Sequence, residues 1–347
     1  MTISPPAQSM PVLNVAFVGS EELARSLAKS NDVRDIESYV YKEQRDGETS
    51  VLSLLRPLRH PERLRPLLSV LNVAEVGIVE ITNVDAALGE ILVSFGAAGI
   101  ERGIAIINPT EGQWVDSEQV NMILSQAGLE TWKLYESVPD SHDIREELYQ
   151  HMHVVGSKNK STKMVLPVDQ HFNVKGVGFV AIGYVQSGTV NKHDEVVILP
   201  ANETGVVRSL QVMDDDVDEA VAGDRVGIAL RNTKEDHLTG GSIIIHPAIE
   251  DKNKGISIPL CLEKHQKSSL KLEVSPFQKR KLEVGDVIHL SVDLQFVVGR
   301  IESNENDLTV SWDSPLYIRK ENPPVALVAQ LDSNPRIMGS ATLSRLE

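Results

Sequence analysis

The chain has 347 residues, 41% apolar and 24% charged, which is ordinary globular composition, and at this length two or three domains are expected. A formal net charge of -15 disfavours wrapping of DNA or other duplex nucleic acid, where affinity comes from Lys and Arg on phosphates. The lone cysteine, Cys261, precludes an internal disulfide, the ten histidines show no metal-ligand spacing, and no apolar run approaches the roughly 20 residues of a spanning helix.

Residues 1–10 read as a flexible N-terminus without signal-peptide features, so a cytoplasmic protein with no membrane partner is expected. Across 11–152, apolar runs alternate with helix-like stretches: LNVAFV then SEELARSLAKS, SVLSLL then HPERLRPLLSVLN, VGIVEI then NVDAALGEILVSFGAAG, GIAIIN then SEQVNMILSQAG, and last TWKLYE. This alternation predicts an α/β domain with a mainly parallel sheet, whose ligands bind beyond the carboxyl ends of its strands. Gly19, Arg56, Thr82, Asn108 and Ser137 stand at or just past those ends. In S-E-E-L, Ser20 predicts a helix N-cap, with Glu21 and Glu22 in the first turn, where they complement the helix dipole.

A polar, lysine-rich join is predicted over 153–162, within HMHVVGSKNKSTK. From 163 to 249 the segments VLPVDQHF, GFVAIGYV, DEVVILP, GVVRSLQV, DRVGIAL and SIIIHP are short, β-branched and separated by turn residues, which predicts a β-barrel. A second series over 250–347, from SIPLCLEKH through SLKLEV, DVIHLSV, QFVVGRIES, LTVSW, PPVALVAQL and MGSATL, predicts another. Two basic clusters, Arg56, Arg59, Arg63 and Arg65, and Lys279, Arg280 and Lys281, read as solvated faces.

The block Gly176 to Pro200, GVGFVAIGYVQSGTVNKHDEVVILP, resembles the second domain of translation GTPases of the elongation factor Tu family. The later AGDRVGIALR, Ala222 to Arg231, and Leu238-Thr-Gly-Gly-Ser extend the resemblance. SPFQKRKLEVGDVIHL and Pro335-Arg-Ile-Met-Gly-Ser resemble the third domain of archaeal SelB. The order implied is a degenerate P-loop-GTPase-like α/β domain followed by two barrels of the EF-Tu domain 2 and domain 3 types, without the fourth, RNA-hairpin-binding domain of SelB. The chain is similar in this to the short "elongation factor Tu domain 2" proteins of methanogenic archaea.

The resemblance implies a nucleotide site, and its motifs are damaged. Gly19 and Ser26 match the phosphate loop G-x-x-x-x-G-K-[ST], but Ala24 replaces the second glycine and Arg25 the lysine, while Glu21 and Glu22 put carboxylates where a polyphosphate would lie. At the place of D-x-x-G stands LLRPLRHPE, with Pro57 or His60 as the only anchors, and His60 is read as a surface residue. N-K-x-D becomes Asn108-Pro-Thr-Glu111, which also reads as a strand-end turn. Only about twenty residues, NDVRDIESYVYKEQRDGETS, fill the switch region, with Thr49 as a remnant of its threonine.

Gly19, Arg25, Ser26, Asn108, Glu111 and Ser137 are therefore a vestigial nucleotide site, with no catalytic residue, no metal and no cofactor expected; a divergent GTPase using GTP and magnesium is the alternative. The resemblance also implies an aminoacyl-tRNA face at Asp169, Phe172, Asn232 and Glu235. Phe172 has a second reading as barrel core. A pseudo-GTPase that binds aminoacyl-tRNA, the ribosome or another translation protein is expected, with a scaffold lacking RNA contact as a further alternative.

Overall fold

The computed structural model describes residues 10–45, 47–155, 163–251 and 256–346. The flexible N-terminus predicted for 1–10 thus lies, but for Met10, outside the described residues, as does most of the join predicted for 153–162.

Seven strands build the first domain's sheet: β1 (Val12–Val18), β2 (Lys29–Val33), β3 (Ile36–Arg45), β4 (Glu48–Pro57), β5 (Val76–Ile81), β6 (Gly103–Ile107) and β7 (Lys133–Tyr135), in the order β2-β3-β4-β1-β5-β6-β7. The strands from β4 to β7 are parallel, and their near-continuous apolar sequences follow from helices covering both faces. α2 (Arg65–Leu71), α3 (Ala86–Ala97) and α4 (Ser117–Gln126) pack on one face, and α1 (Glu21–Leu27) and α5 (Ser141–Val155) on the other. Ser20 caps α1 as predicted, its side chain accepting from Leu23 N–H at 3.2 Å, with Glu21 and Glu22 in the first turn.

Three boundaries differ from expectation. The presumed remnant of a switch loop is a β-hairpin: β2 and β3 pair antiparallel with each other and β3 with β4, around a turn at Gly47 with φ +87°. Tyr39 is buried in this hairpin, which gives the stretch a core to fold on. The helix after β4 starts at Arg65, not His60, because Pro66 fits a first turn while Pro61 lies in the preceding loop. α5 continues through Val155, so His153 to Val155 close a helix instead of opening the join.

The second domain comprises β8 (Val165–Val174), β9 (Gly178–Tyr184), β10 (Thr189–Asn191), β11 (Glu195–Leu199), β12 (Glu203–Val212), β13 (Asp215–Val217), β14 (Glu219–Val221), β15 (Arg225–Arg231) and β16 (Ile243–Ile245). Its sheet runs β11-β16-β8-β9-β15-β12-β13 and closes where β11 pairs with β12, while β10 and β14 form a separate ribbon. The ribbon β17 (Ile249–Asp251) and β18 (Ile256–Ile258) leads to the third domain. There β19 (Leu262–Val274), β20 (Val287–Val292), β21 (Gln295–Ser303), β22 (Leu308–Arg319), β23 (Ala326–Ala329) and β24 (Ile337–Leu346) close a barrel in the order β19-β22-β21-β20-β23-β24. β19 joins two segments predicted as separate strands, and β22 runs on past the predicted LTVSW to Arg319.

Both barrels pack on the first domain. Val12, Val40 and Val51 lie against the second domain's core, and Asn14 Nδ2 donates to Gly223 O at 2.8 Å. Leu294, Leu327, Ala329 and Ile337 of the third domain join the core under α2 and α3.

Candidate functional site

The carboxyl edge of the parallel sheet is where a nucleotide would bind, and its geometry is set by a side chain the sequence reading passed over. Glu80, next to last in β5, is 9% exposed and turned toward α1. Its Oε2 accepts from Ser20 N–H at 2.5 Å and its Oε1 from Asn108 Nδ2 at 2.6 Å. An internal carboxylate thus takes the first backbone amide after Gly19. It also takes the asparagine that the resemblance assigns to base recognition.

Gly19 has a packing reason of its own. A Cβ there would lie 2.9 Å from both Cβ and Oε2 of Glu80, so the glycine admits the carboxylate. Its carbonyl accepts from Arg56 Nε at 2.7 Å, Arg56 Nη1 reaches Glu37 Oε2 at 2.6 Å, and Tyr39 donates to the same oxygen at 2.9 Å. Burial, reinforced by Glu37, pushes the Tyr39 phenol up to about 12. Arg56 is therefore held by a buried network and does not belong to a solvated face.

The other residues of the predicted nucleotide site are dispersed. Residues 21 to 24, which should wrap a phosphate, are already helical, and Ala24 is fully buried. Arg25 points to solvent and pairs with Glu21 at 2.6 Å, and Ser26 Oγ donates to Leu23 O at 2.7 Å. Glu111 and Ser137 are exposed, the latter just beyond β7. Thr49 sits at the opposite end of its strand, where its hydroxyl accepts from Gln44 at 2.6 Å, so it is no part of this edge. As placed, these groups do not fit magnesium and a polyphosphate: the amide is taken, the hydroxyl is satisfied within its helix, and a carboxylate stands where negative charge would have to enter.

His60 is not the surface residue expected. Its side chain is 6% exposed, and Nε2 lies 3.1 Å from Glu90 Oε2 on α3. Arg336, in the loop before β24, donates to Glu90 Oε1 through its backbone N–H at 2.9 Å and Nε at 3.0 Å, and to Oε2 through Nη2. Burial would raise the Glu90 carboxyl, but the His60 and Arg336 hydrogen bonds outweigh it and hold it at about 2. This cluster fastens the third domain to the first.

The predicted aminoacyl face divides. Phe172 is half-buried and lines an outer groove of about 340 Å³ with Asn31, Val180, Ile182 and Ala229, so it is not barrel core. The Arg34 guanidinium lies 5.7 Å from its ring centroid. Asp169, three residues earlier at a bulge of β8, lines a different cavity at the junction of the three domains. Burial pushes its carboxyl up, against the pull of Arg225. Between the two hollows, Asp32 of the first domain bridges Arg225 at 3.2 Å and Gln170 at 3.2 Å. Asn232 is exposed at φ 62° beyond β15, outside both linings, and Glu235 opens the 3-10 turn Glu235–His237.

Residues 178–245 match the family model of elongation factor Tu domain 2. A selenocysteine-specific elongation factor of Methanocaldococcus jannaschii is 38% identical over 105 residues, 30% of this chain and 20% of that protein. An uncharacterized protein of the same organism is 30% identical over 304 residues, covering 87% of this chain and 90% of its own length. The chain belongs to the elongation factor Tu/SelB-like family. Among solved structures, this EF-Tu/SelB-like chain is similar in fold to translation elongation factor SelB from Methanococcus maripaludis, crystallised with the GTP analogue GppNHp, with a TM-score of 0.75 at 17% identity over 97% of this chain and 79% of that one. A bacterial selenocysteine-specific elongation factor, EF-Sec, matches at TM-score 0.75 and 19% identity, over 95% of this chain and 58% of its own. Among the described residues, no helix is long and apolar enough to cross a membrane.

Proposed function

We propose that this EF-Tu/SelB-like chain is a binding factor of translation that works without a guanine nucleotide, and that aminoacyl-tRNA is its partner. The observation that carries the first half is Glu80, whose two oxygens take Ser20 N–H at 2.5 Å and Asn108 Nδ2 at 2.6 Å. A phosphate at that amide would meet the carboxylate at contact distance, where like charges repel by on the order of 4 kcal/mol even at an effective dielectric of 20. Titration calorimetry with GTP and with GDP in magnesium tests it: no saturable heat at millimolar nucleotide is expected, and micromolar affinity sinks the proposal.

The second half rests on the apolar groove beside Phe172, which suits stacking of a terminal base. Phe172→Ala should weaken aminoacyl-tRNA in filter binding by about five- to hundredfold, the value of one stacked base. Binding should also fall steeply with salt, as phosphate contacts require. Equal affinity for the Phe172→Ala protein would remove the groove as the contact, and no retention of aminoacyl-tRNA at low salt would remove tRNA as the partner.

A further inference from the structure

Trp114 is 82% exposed, whereas the chain's other two tryptophans, Trp132 and Trp312, are buried. Its loop, between β6 and α4, is built to present it. Gln113 N–H donates to Thr110 O at 2.9 Å, and Gly112, at φ +79°, supplies the positive φ of a type II turn. On the other side Val115 is buried, and Asp116 caps α4, accepting from Glu118 N–H at 3.0 Å. A turn before the indole and an anchor after it hold the ring outward, so little chain entropy would be lost when a partner covers it.

β5, β6 and β7 are adjacent parallel strands, so the loops at their carboxyl ends, residues 82–85, 108–116 and 136–140, stand side by side. The third of these loops exposes Val138 at 43%. Together the loops carry Asp85, Glu111, Asp116, Glu136 and Asp140, with no lysine or arginine among them. The three aspartates are held at helix starts, where each accepts a backbone N–H. Glu111 and Glu136 are exposed and form no ion pair among the described residues. The edge is therefore an aromatic and an aliphatic side chain among unneutralised carboxylates.

We infer that this edge docks a basic segment of another protein, whose arginine or lysine side chains lie on the Trp114 ring and pair with Glu111 and Glu136 while an apolar residue covers Val138. Charge selects this occupant. Tryptophan is the best aromatic partner for a cation, and an exposed, rigidly held tryptophan is the commonest kind of interface anchor. RNA would bring phosphates against five carboxylates, and a second copy of this chain would bring another net charge of -15. The surface lies outside the Phe172 groove, so it stands whether or not aminoacyl-tRNA is a partner.

The full-length protein is titrated at low salt with a peptide of alternating arginine and leucine, followed by fluorescence anisotropy of the labelled peptide and by acrylamide quenching of tryptophan with the unlabelled one. Polyuridylate RNA is run in parallel. Saturable binding of the peptide and protection of the exposed tryptophan are expected, with no protection by the RNA. Trp114→Ala and Glu111→Gln/Glu136→Gln should each weaken the peptide at least about tenfold, and Glu203→Gln/Glu305→Gln, which removes equal charge from exposed positions on the barrels, by less than about twofold. Thermal unfolding of each variant without peptide should match the parent, so that lost binding is not lost folding. Absence of saturable binding, equal affinity for Trp114→Ala, or equal weakening in the barrel control overturns the assignment. Protection by RNA, or protection that grows with protein concentration alone and so marks a second copy, overturns it too.

Discussion

Glu80 shows how one side chain can change the meaning of residues around it. With its carboxylate accepting from Ser20 and Asn108, the glycine that begins a phosphate loop in the resemblance becomes a packing requirement. Gly19→Ala should therefore destabilise the first domain by roughly 1–3 kcal/mol, the usual cost of overpacking, measured by urea unfolding. Glu80→Ala should cost more than Glu80→Gln, because alanine strands two donors while glutamine keeps one acceptor; each stranded donor is worth about 1–3 kcal/mol. Equal stability of the two Glu80 variants would show that its hydrogen bonds do not hold this edge. The glutamate was visible in VGIVEI as one carboxylate in an otherwise apolar strand. Its partners were not, since they lie 60 and 28 residues away in sequence.

At the scale of elements, most of the architecture was legible because period and turn chemistry decide it. The buried runs of β1, β5 and β6 and the glycine-punctuated strands of the second domain stand where the residues put them. The β2 and β3 hairpin was missed because a family pattern set the expectation of a loop, although ESYVYKEQ carries the aromatic and β-branched residues of a strand. Trp132 was also illegible as a structural centre. Its indole fills a slot floored by two strand glycines, where a Cβ on Gly77 would come within 2.3 Å and one on Gly103 within 2.5 Å of the ring. It meets Phe95 edge-on at 5.1 Å, and Nε1 donates to Ile100 O at 3.0 Å. Trp132→Ala should cost roughly 3–5 kcal/mol in urea unfolding. Gly77→Ala, with no room to relax against a rigid ring, should lower the melting temperature although alanine has the better intrinsic propensity for a regular backbone.

For the whole molecule, the contact of Glu90 with His60 and Arg336 decides how the third domain is held. The pair is buried, so removing Arg336 leaves an under-compensated carboxylate, and Arg336→Ala should cost roughly 3–5 kcal/mol. Restoring balance with Glu90→Ala in the same chain should recover part of the loss, which a double-mutant cycle reads directly. The pH dependence has a definite sign. Glu90 is held at about 2, below its ordinary 4.5, so its contribution is complete above pH 4.5 and fades as pH falls toward 2. Glu75 acts the other way: burial raises its carboxyl to about 7 against the lowering hydrogen bond from Asn14 N–H, so its contribution is complete below 4.5 and is lost as pH rises through 7. Glu75→Gln should thus flatten the decline of unfolding free energy between pH 4.5 and 7, while Arg336→Ala should flatten the acid limb below 4.5. If instead Arg336→Ala leaves the acid limb intact, the Glu90 contact is not what couples the third domain to the first.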